Sequence, residues 1–196
     1  MCGGCRKQNS VCTALGPFEA IEAACITTPP VTGSIIPFAS GIDPVVLTSL
    51  ATGLIDTVSL VGFGTSIPGI TLTGTNIDLT AATGTEAFSV PRAGTITSIS
   101  ASLSATVAET LIGTATVRAQ IYRADAGSNV FSPTTAFVDL APALSTIAIG
   151  TITFGTANVT PVPVAAGDRL LMVFSVTSPG FAATITGNAS AGINIV

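Results

Sequence analysis

Ser98-Ile99-Ser100-Ala101-Ser102-Leu103-Ser104-Ala105-Thr106-Val107 alternates hydroxyl and apolar side chains without a break. Ile99, Ala101, Leu103, Ala105 and Val107 fall on one side of an extended chain, and the four serines from Ser98 to Ser104 with Thr106 fall on the other. A period of two held over this length gives one face to a core and one to the outside, as a strand does. Residues 114–122 repeat the pattern, with Ala115, Val117, Ala119 and Ile121 opposed to Thr114, Thr116, Arg118, Gln120 and Tyr122. Further strands are expected near 34–39, 57–63, 69–74, 86–90, 136–140, 146–154, 169–177 and 189–195. Turn residues separate them, as in Pro68-Gly69, Arg92-Ala93-Gly94, Ala126-Gly127-Ser128-Asn129 and Pro179-Gly180. Within this body only Asp43 to Ala51 reads as helical, with Pro44 placed for a first turn. No strand–helix–strand rhythm runs through the chain, so a doubly wound parallel sheet is excluded. The expectation is an all-β antiparallel jelly-roll sandwich over residues 33–196, preceded by a connector arm over residues 1–32.

One expected strand breaks the alternation. Arg169 to Val176 is apolar on both faces through Leu170, Leu171, Met172, Val173, Phe174 and Val176, the pattern of a strand buried on two sides. In a two-layer sandwich its second face must meet another subunit or a covering segment. Composition points to the former. Of the 196 residues 47% are hydrophobic and 8% charged, where a soluble monomer carries about a quarter charged. The 30 Thr residues supply polar surface, yet much of the remaining surface is expected to be buried between subunits. The same figures exclude other classes. Disorder needs low hydrophobicity and high charge. A nucleic-acid partner needs a basic field, and the net charge is -4. A membrane helix needs roughly 18 consecutive apolar residues, and the run from Leu170 to Phe174 is far too short.

The four cysteines, Cys2, Cys5, Cys12 and Cys25, all lie in the arm. Their spacing, C-x2-C-x6-C-x12-C, offers half of a zinc knuckle in Cys2 and Cys5 but no second half. Disulfides are expected ahead of a metal site or free thiols. A secretory leader is not expected, because Pro17, Glu19 and Glu22 interrupt any apolar stretch after Arg6-Lys7. Pro17 opens a short predicted helix with Phe18, Ile21 and Cys25 on one face, closed by Thr28-Pro29-Pro30. Phe18, Ile21 and Ile26 give the arm an apolar surface to dock.

An enzyme is not expected. The sequence contains no His, which removes Ser-His-Asp and Cys-His nucleophiles. Asp78, Glu86, Glu109, Asp125 and Asp139 are scattered beside turns and strand ends and read as solvated or turn-forming groups. Gly62-Phe63-Gly64 lacks the helix and lysine of a phosphate loop. Asp168-Arg169 reads as a turn Asp with an exposed Arg rather than an inter-subunit pair, and the Thr71-x-Thr73-x-Thr75 row as a solvent face. No catalytic residue, cofactor or metal is assigned.

Several segments carry a resemblance. Ser34-Ile35-Ile36-Pro37-Phe38-Ala39-Ser40-Gly41, Leu60 to Gly64, Ile77 to Thr80, Ala87 to Arg92, Gly94 to Ser98 and Ala189 to Ile193 resemble, in order, the C-terminal domain of BclB-type exosporium glycoproteins. Phe88 to Gly94 and Ala166 to Leu170 are similar to strand–turn motifs of C1q/TNF-like jelly rolls. The resemblance implies a homotrimer with apolar strands at its three-fold axis, a place on the bacterial spore surface, and glycosylation. Relatives of that type carry Gly-X-Y collagen repeats, and none occur in this sequence. A short arm that binds the next head is the expected substitute, as in endospore appendage fibres. The expected role is thus a structural subunit of a spore-surface fibre, made in the mother-cell cytoplasm. Its partners would be itself, an exosporium anchor protein and a tip protein. The other class is a discrete trimeric head that binds a host receptor or glycan.

Overall fold

A computed structural model of the chain describes residues 33–81 and 84–196. The described residues contain strands and no helix. In chain order these are β1 (Ser34–Ala39), β2 (Val45–Ser49), β3 (Ile55–Val61), β4 (Ser66–Thr71), β5 (Ile77–Asp78), β6 (Phe88–Ser89) and β7 (Gly94–Ala105). There follow β8 (Glu109–Ala124), β9 (Val130–Asp139), β10 (Leu144–Ile147), β11 (Ile152–Val164), β12 (Arg169–Thr177) and β13 (Ala183–Ile195). All their pairings are antiparallel.

One layer, sheet I, runs β11–β7–β13, and β13 pairs along its other edge first with β2 and then with β1. The other layer, sheet II, runs β3–β12–β8–β9 with β4 beside β3. The first strand lies beside the last in one sheet, and the chain passes repeatedly between the two layers, as in a jelly roll. The main core fills the space between, from Ile99, Leu103, Ile185 and Ile193 on sheet I to Val117, Ile121, Met172 and Phe174 on sheet II. The alternation read from the sequence sets these positions. Ile99, Ala101, Leu103 and Ala105 are buried, while Val107 is exposed because β7 ends at Ala105.

The doubly apolar strand is covered by its own chain. Leu170, Met172, Phe174 and Val176 of β12 point into the main core. Leu171 and Val173 point the other way, into a second cluster with Val58, Leu60, Ile77, Leu79, Tyr122 and Phe131. Ile67, Ile70, Leu72 and Ala87, from the segment that contains β4 and β5, pack on that cluster. Of the two covers foreseen for this face, the covering segment is the one present, so β12 is no evidence for a second subunit.

Two expectations are corrected. Asp43 to Ala51 is not helical: Gly41–Asp43 turns, and Val45–Ser49 is a strand whose Val45, Leu47 and Ser49 face inward. The Val-Val-Leu-Thr run is rich in β-branched residues and finds a ready partner in Ala183–Gly187, and this pairing overrides the helix-start signal of Pro44. The strand expected over 146–154 is interrupted. Gly150, at a φ of 85°, turns the chain between β10 and β11. β11 continues to Val164 through Pro161 and Pro163, which an edge strand tolerates because its outer N–H groups need no partner.

The body has two poles along the strand direction. Gly33, Val196, the 125–129 turn and the 165–168 turn lie at one, where Thr95 and Val196 exchange backbone hydrogen bonds. The 50–54, 106–108, 148–151 and 178–182 connections lie at the other.

Candidate assembly face

The outward face of sheet I is a grid set by strand register. Ile152, Ser104 and Asn188 form one row across β11, β7 and β13, and Phe154, Ser102 and Ser190 the next. Thr156, Ser100 and Gly192 follow, joined by Pro37 of β1, and then Asn158, Ser98 and Asn194, joined by Ile35. No Asp, Glu, Lys or Arg occurs anywhere in β1, β7, β11 or β13. Phe154 is 64% exposed, Ile152 57% and Ile35 77%. Beside the two β11 side chains lie shallow hollows of about 230 Å³ and 340 Å³, floored by serines and small residues.

The hydroxyls of this face bond one another. Ser100 and Thr156 Oγ atoms lie 2.8 Å apart across β7 and β11, and those of Ser102 and Ser190 3.0 Å apart across β7 and β13. A hydroxyl that keeps its partner when water leaves loses little on burial. The face therefore combines exposed apolar side chains, small self-satisfied hydroxyls and no charge, and it can be covered at low desolvation cost.

Sheet II and the pole beside Gly33 differ in carrying charge, and several of these charges are used within the chain. Arg118 donates through Nε and Nη2 to the Asp139 carboxylate at 2.6 and 2.9 Å and lies 4.2 Å over the Phe137 ring. The carboxylate raises the Arg118 guanidinium further above its ordinary value. Burial raises the neighbouring Tyr122 phenol, against the opposing pull of Arg118. Asp168, expected in an open turn, is buried; it accepts the Ala165 N–H at 2.9 Å and lies 3.6 Å from Arg123 Nε. Arg169, expected to be exposed, is half-buried and donates to Ser128 O, Asn129 Oδ1 and Thr85 Oγ1. Both residues pin loops of their own subunit.

The scattered carboxylates stay apart. Asp78 accepts from the N–H and hydroxyl of Thr80, which hold it below the usual carboxylate range. Glu86 accepts the Thr65 hydroxyl, and Asp125 pairs with Arg123. Glu109 opens β8. Thr71, Thr73 and Thr75 are exposed, as read. Among the described residues no group of three metal-ligating side chains is gathered together. Cys2, Cys5, Cys12, Cys25, Phe18, Ile21 and Ile26 lie outside the described residues. Phe154 and Ile152 were not singled out by sequence. Their signal was the Ile152-x-Phe154 alternation, hidden by the turn misplaced at its start.

No family model matches the chain. Collagen-like protein 1 of Acanthamoeba polyphaga mimivirus is 36% identical to it over 180 residues, which cover 85% of this chain and 19% of that protein. The chain thus spans about a fifth of that relative's length. Among solved structures, Eiger TNF from S. frugiperda superposes with a TM-score of 0.37 at 10% identity, covering 84% of this chain and 94% of that one.

Proposed function

We propose that the chain is a structural, self-assembling subunit. Three copies associate through the outward face of sheet I, and the trimers stack head to tail into a thin fibre through residues 1–32. The observation that carries the reading is the charge-free grid with Phe154 and Ile152 standing exposed on it. An uncovered apolar patch of this kind marks an interaction surface. Similarity to a collagen-like protein supports threefold association, since a collagen helix winds three chains. The arm contact is heterologous, and a heterologous contact that does not close into a ring propagates as a filament. Cys2, Cys5, Cys12 and Cys25 would lock neighbouring subunits by disulfides. The resemblance to BclB-type proteins supports a site on the bacterial spore surface, in the exosporium or an appendage, with an anchor protein at one end and a tip protein at the other.

The test is sedimentation of the full chain and its Phe154→Lys variant. Phe154 is largely exposed in the single chain, so the substitution leaves the fold intact and places a charge in the proposed contact. The expected result is trimers, stacked or free, for the unmodified chain and no trimer in either form for the variant. A variant that remains trimeric would remove this face from the assembly.

A further inference from the structure

The side of the body where β1 borders sheet II is closed at one end and open at the other. At the closed end the residues after β3 run beside β1. Ala39 N–H donates to Gly62 O, and Gly64 N–H donates to Ala39 O. Gly41 and Gly64 meet there so closely that Gly41 has no room for a Cβ. Ser40, the next residue, turns its N–H the other way, to Ala189 O of β13. Backbone direction alternates along a strand, so Pro37 and Ile35 present their backbone to the same side as Ala39. Among the described residues nothing continues the 62–64 line past Ala39, and β1 has β13 as its only partner strand. The Ile35 N–H and the Ile35 and Pro37 carbonyls therefore form an unpaired edge.

An apolar groove lies along that edge. Ile36 and Ile195 line it from sheet I, and Phe88, Val90 and Pro91 line it from β6 and the turn after it. Between them is a crevice of about 110 Å³, the scale of one aliphatic side chain. Phe63 is 59% exposed, stacks on buried Phe38 and meets Phe88 edge-on with ring centres 6.2 Å apart, which carries the apolar floor to the closed end. Arg92 stands at the open end. Its Nη2 donates to Ser34 Oγ at 3.3 Å, and among the described residues no carboxylate lies within ion-pair distance of it.

We propose that this groove is a strand-addition site for an extended segment of a partner protein, one that alternates apolar side chains and ends in an acidic one. At such a site the edge backbone supplies affinity and the side-chain pockets supply selectivity. Antiparallel pairing, the stronger kind, exchanges two bonds with Ile35 and adds a third from the segment's N–H to Pro37 O. Side chains two apart share a face. The residue across from Phe38 therefore meets Phe63, the one across from Ile36 fills the crevice, and the one across from Ser34 meets Arg92. Read from its N-terminus, the segment is apolar, any, apolar, any, acidic. Arg92 selects the acid, because its charge finds no other partner in the groove. Pro37 withholds one donor, which weakens pairing with strands that lack these side chains. The site rests on neither the trimer nor the stack proposed above.

The test measures fluorescence polarisation of the N-acetylated peptide LTVTET, labelled with fluorescein at its C-terminus, against the full chain. Saturable binding is expected. N-methylation of both inner threonines removes the N–H groups aimed at Pro37 O and Ile35 O. Binding should then weaken at least about tenfold, the scale of two lost hydrogen bonds. The peptide LTVTKT should bind several-fold more weakly than LTVTET, and in an Arg92→Glu chain that order should reverse. Arg92 is exposed, so this variant keeps the fold. Equal binding of the N-methylated peptide would mean adsorption on Phe63 and its neighbours instead of strand pairing, and would overturn the proposal. An unchanged order of the two peptides on the Arg92→Glu chain would overturn the acidic partner. Absence of saturable binding to the unmodified chain would show the edge closed to a partner, and the site would be withdrawn.

Discussion

The outward faces of the two sheets are opposites, although one chain builds both with the same alternating strands. Sheet II has apolar side chains behind it, Leu171, Val173, Leu60 and Tyr122, and the chain covers them with the segment that contains β4 and β5. It carries charge outward, part of it paired, as in Arg118–Asp139. Sheet I has no such cover. Its outer surface is a lattice of serines, small residues and a few large apolar side chains without a charge. The difference shows how a chain with 8% charged residues manages its surface. Where the apolar load is heavy it folds a flap over itself, and where the load is light it keeps the face neutral, flat and able to be covered by another copy.

The largest expected effect breaks the covered side. Leu171 is fully buried in the second cluster, and truncating a buried Leu costs about 2–5 kcal/mol through lost transfer energy and the cavity left behind. Leu171→Ala should therefore lower the denaturant midpoint steeply at unchanged protein concentration. If it unfolded like the unmodified chain, β4 and β5 would not be covering β12, and the second face of that strand would again need another subunit.

The next test contrasts the two faces directly. Ser102→Glu places a carboxylate at the centre of the neutral grid, where association would bury it without a partner, at a cost of several kcal/mol. Ser132→Glu adds the same charge to an exposed position on sheet II. The first should abolish trimers in sedimentation equilibrium and leave the circular dichroism unchanged; the second should do neither. Equal behaviour of the two would erase the distinction between the faces.

What the sequence made legible follows from the same contrast. Period-two alternation located β7 and β8 because each has one face in the core and one outside. β12 was located to the residue by its unbroken apolar run. That run also misdirected the search for an interface, because periodicity reports that a face is covered and not by whom. The cover comes from Ile67 to Leu79, far away in sequence and short of regular strand, so no local pattern announces it. The face left open reads Ser-x-Ser-x-Ser, which by propensity is an ordinary solvent face. Only register across β11, β7 and β13 reveals that Phe154 and Ile152 stand beside serines and that no charge lies among them. β2 was missed because Pro44 mimics a helix start, although one of its two partners, β3, follows directly after the 50–54 turn.

A smaller effect concerns the paired charge on sheet II. Arg118 and Asp139 are 38% and 45% exposed, so water screens the pair and its worth falls near the surface value of about 0–1 kcal/mol, the upper end fitting its two-bond geometry. Arg118→Gln should shift thermal unfolding by a few degrees at most and leave the oligomeric state unchanged, by differential scanning calorimetry and sedimentation. A larger loss would show that sheet II depends on this pair for its stability.

The smallest effect is a titration. Asp78 accepts the Thr80 hydroxyl at 2.6 Å and the Thr80 N–H at 2.9 Å, and these two bonds, the hydroxyl first, lower its pKa from 3.8 while the group itself stays in solvent. A carboxylate whose folded pKa lies below its unfolded one stabilises the folded state above the unfolded value, and the contribution is lost as pH falls through the folded value. The window is therefore acidic, beginning near pH 4 and ending below it, and neutral pH lies outside it. The turn after β5 should hold its shape at pH 5 and loosen only below pH 4. Carbon-detected NMR of the Asp78 carboxyl should report a midpoint under 3.8. Thr80→Val removes the hydroxyl and keeps the N–H, so the midpoint should rise part of the way back. A midpoint that did not move would assign the shift to the backbone bond alone and leave the Thr80 hydroxyl, like the exposed Thr71 and Thr73, to the solvent.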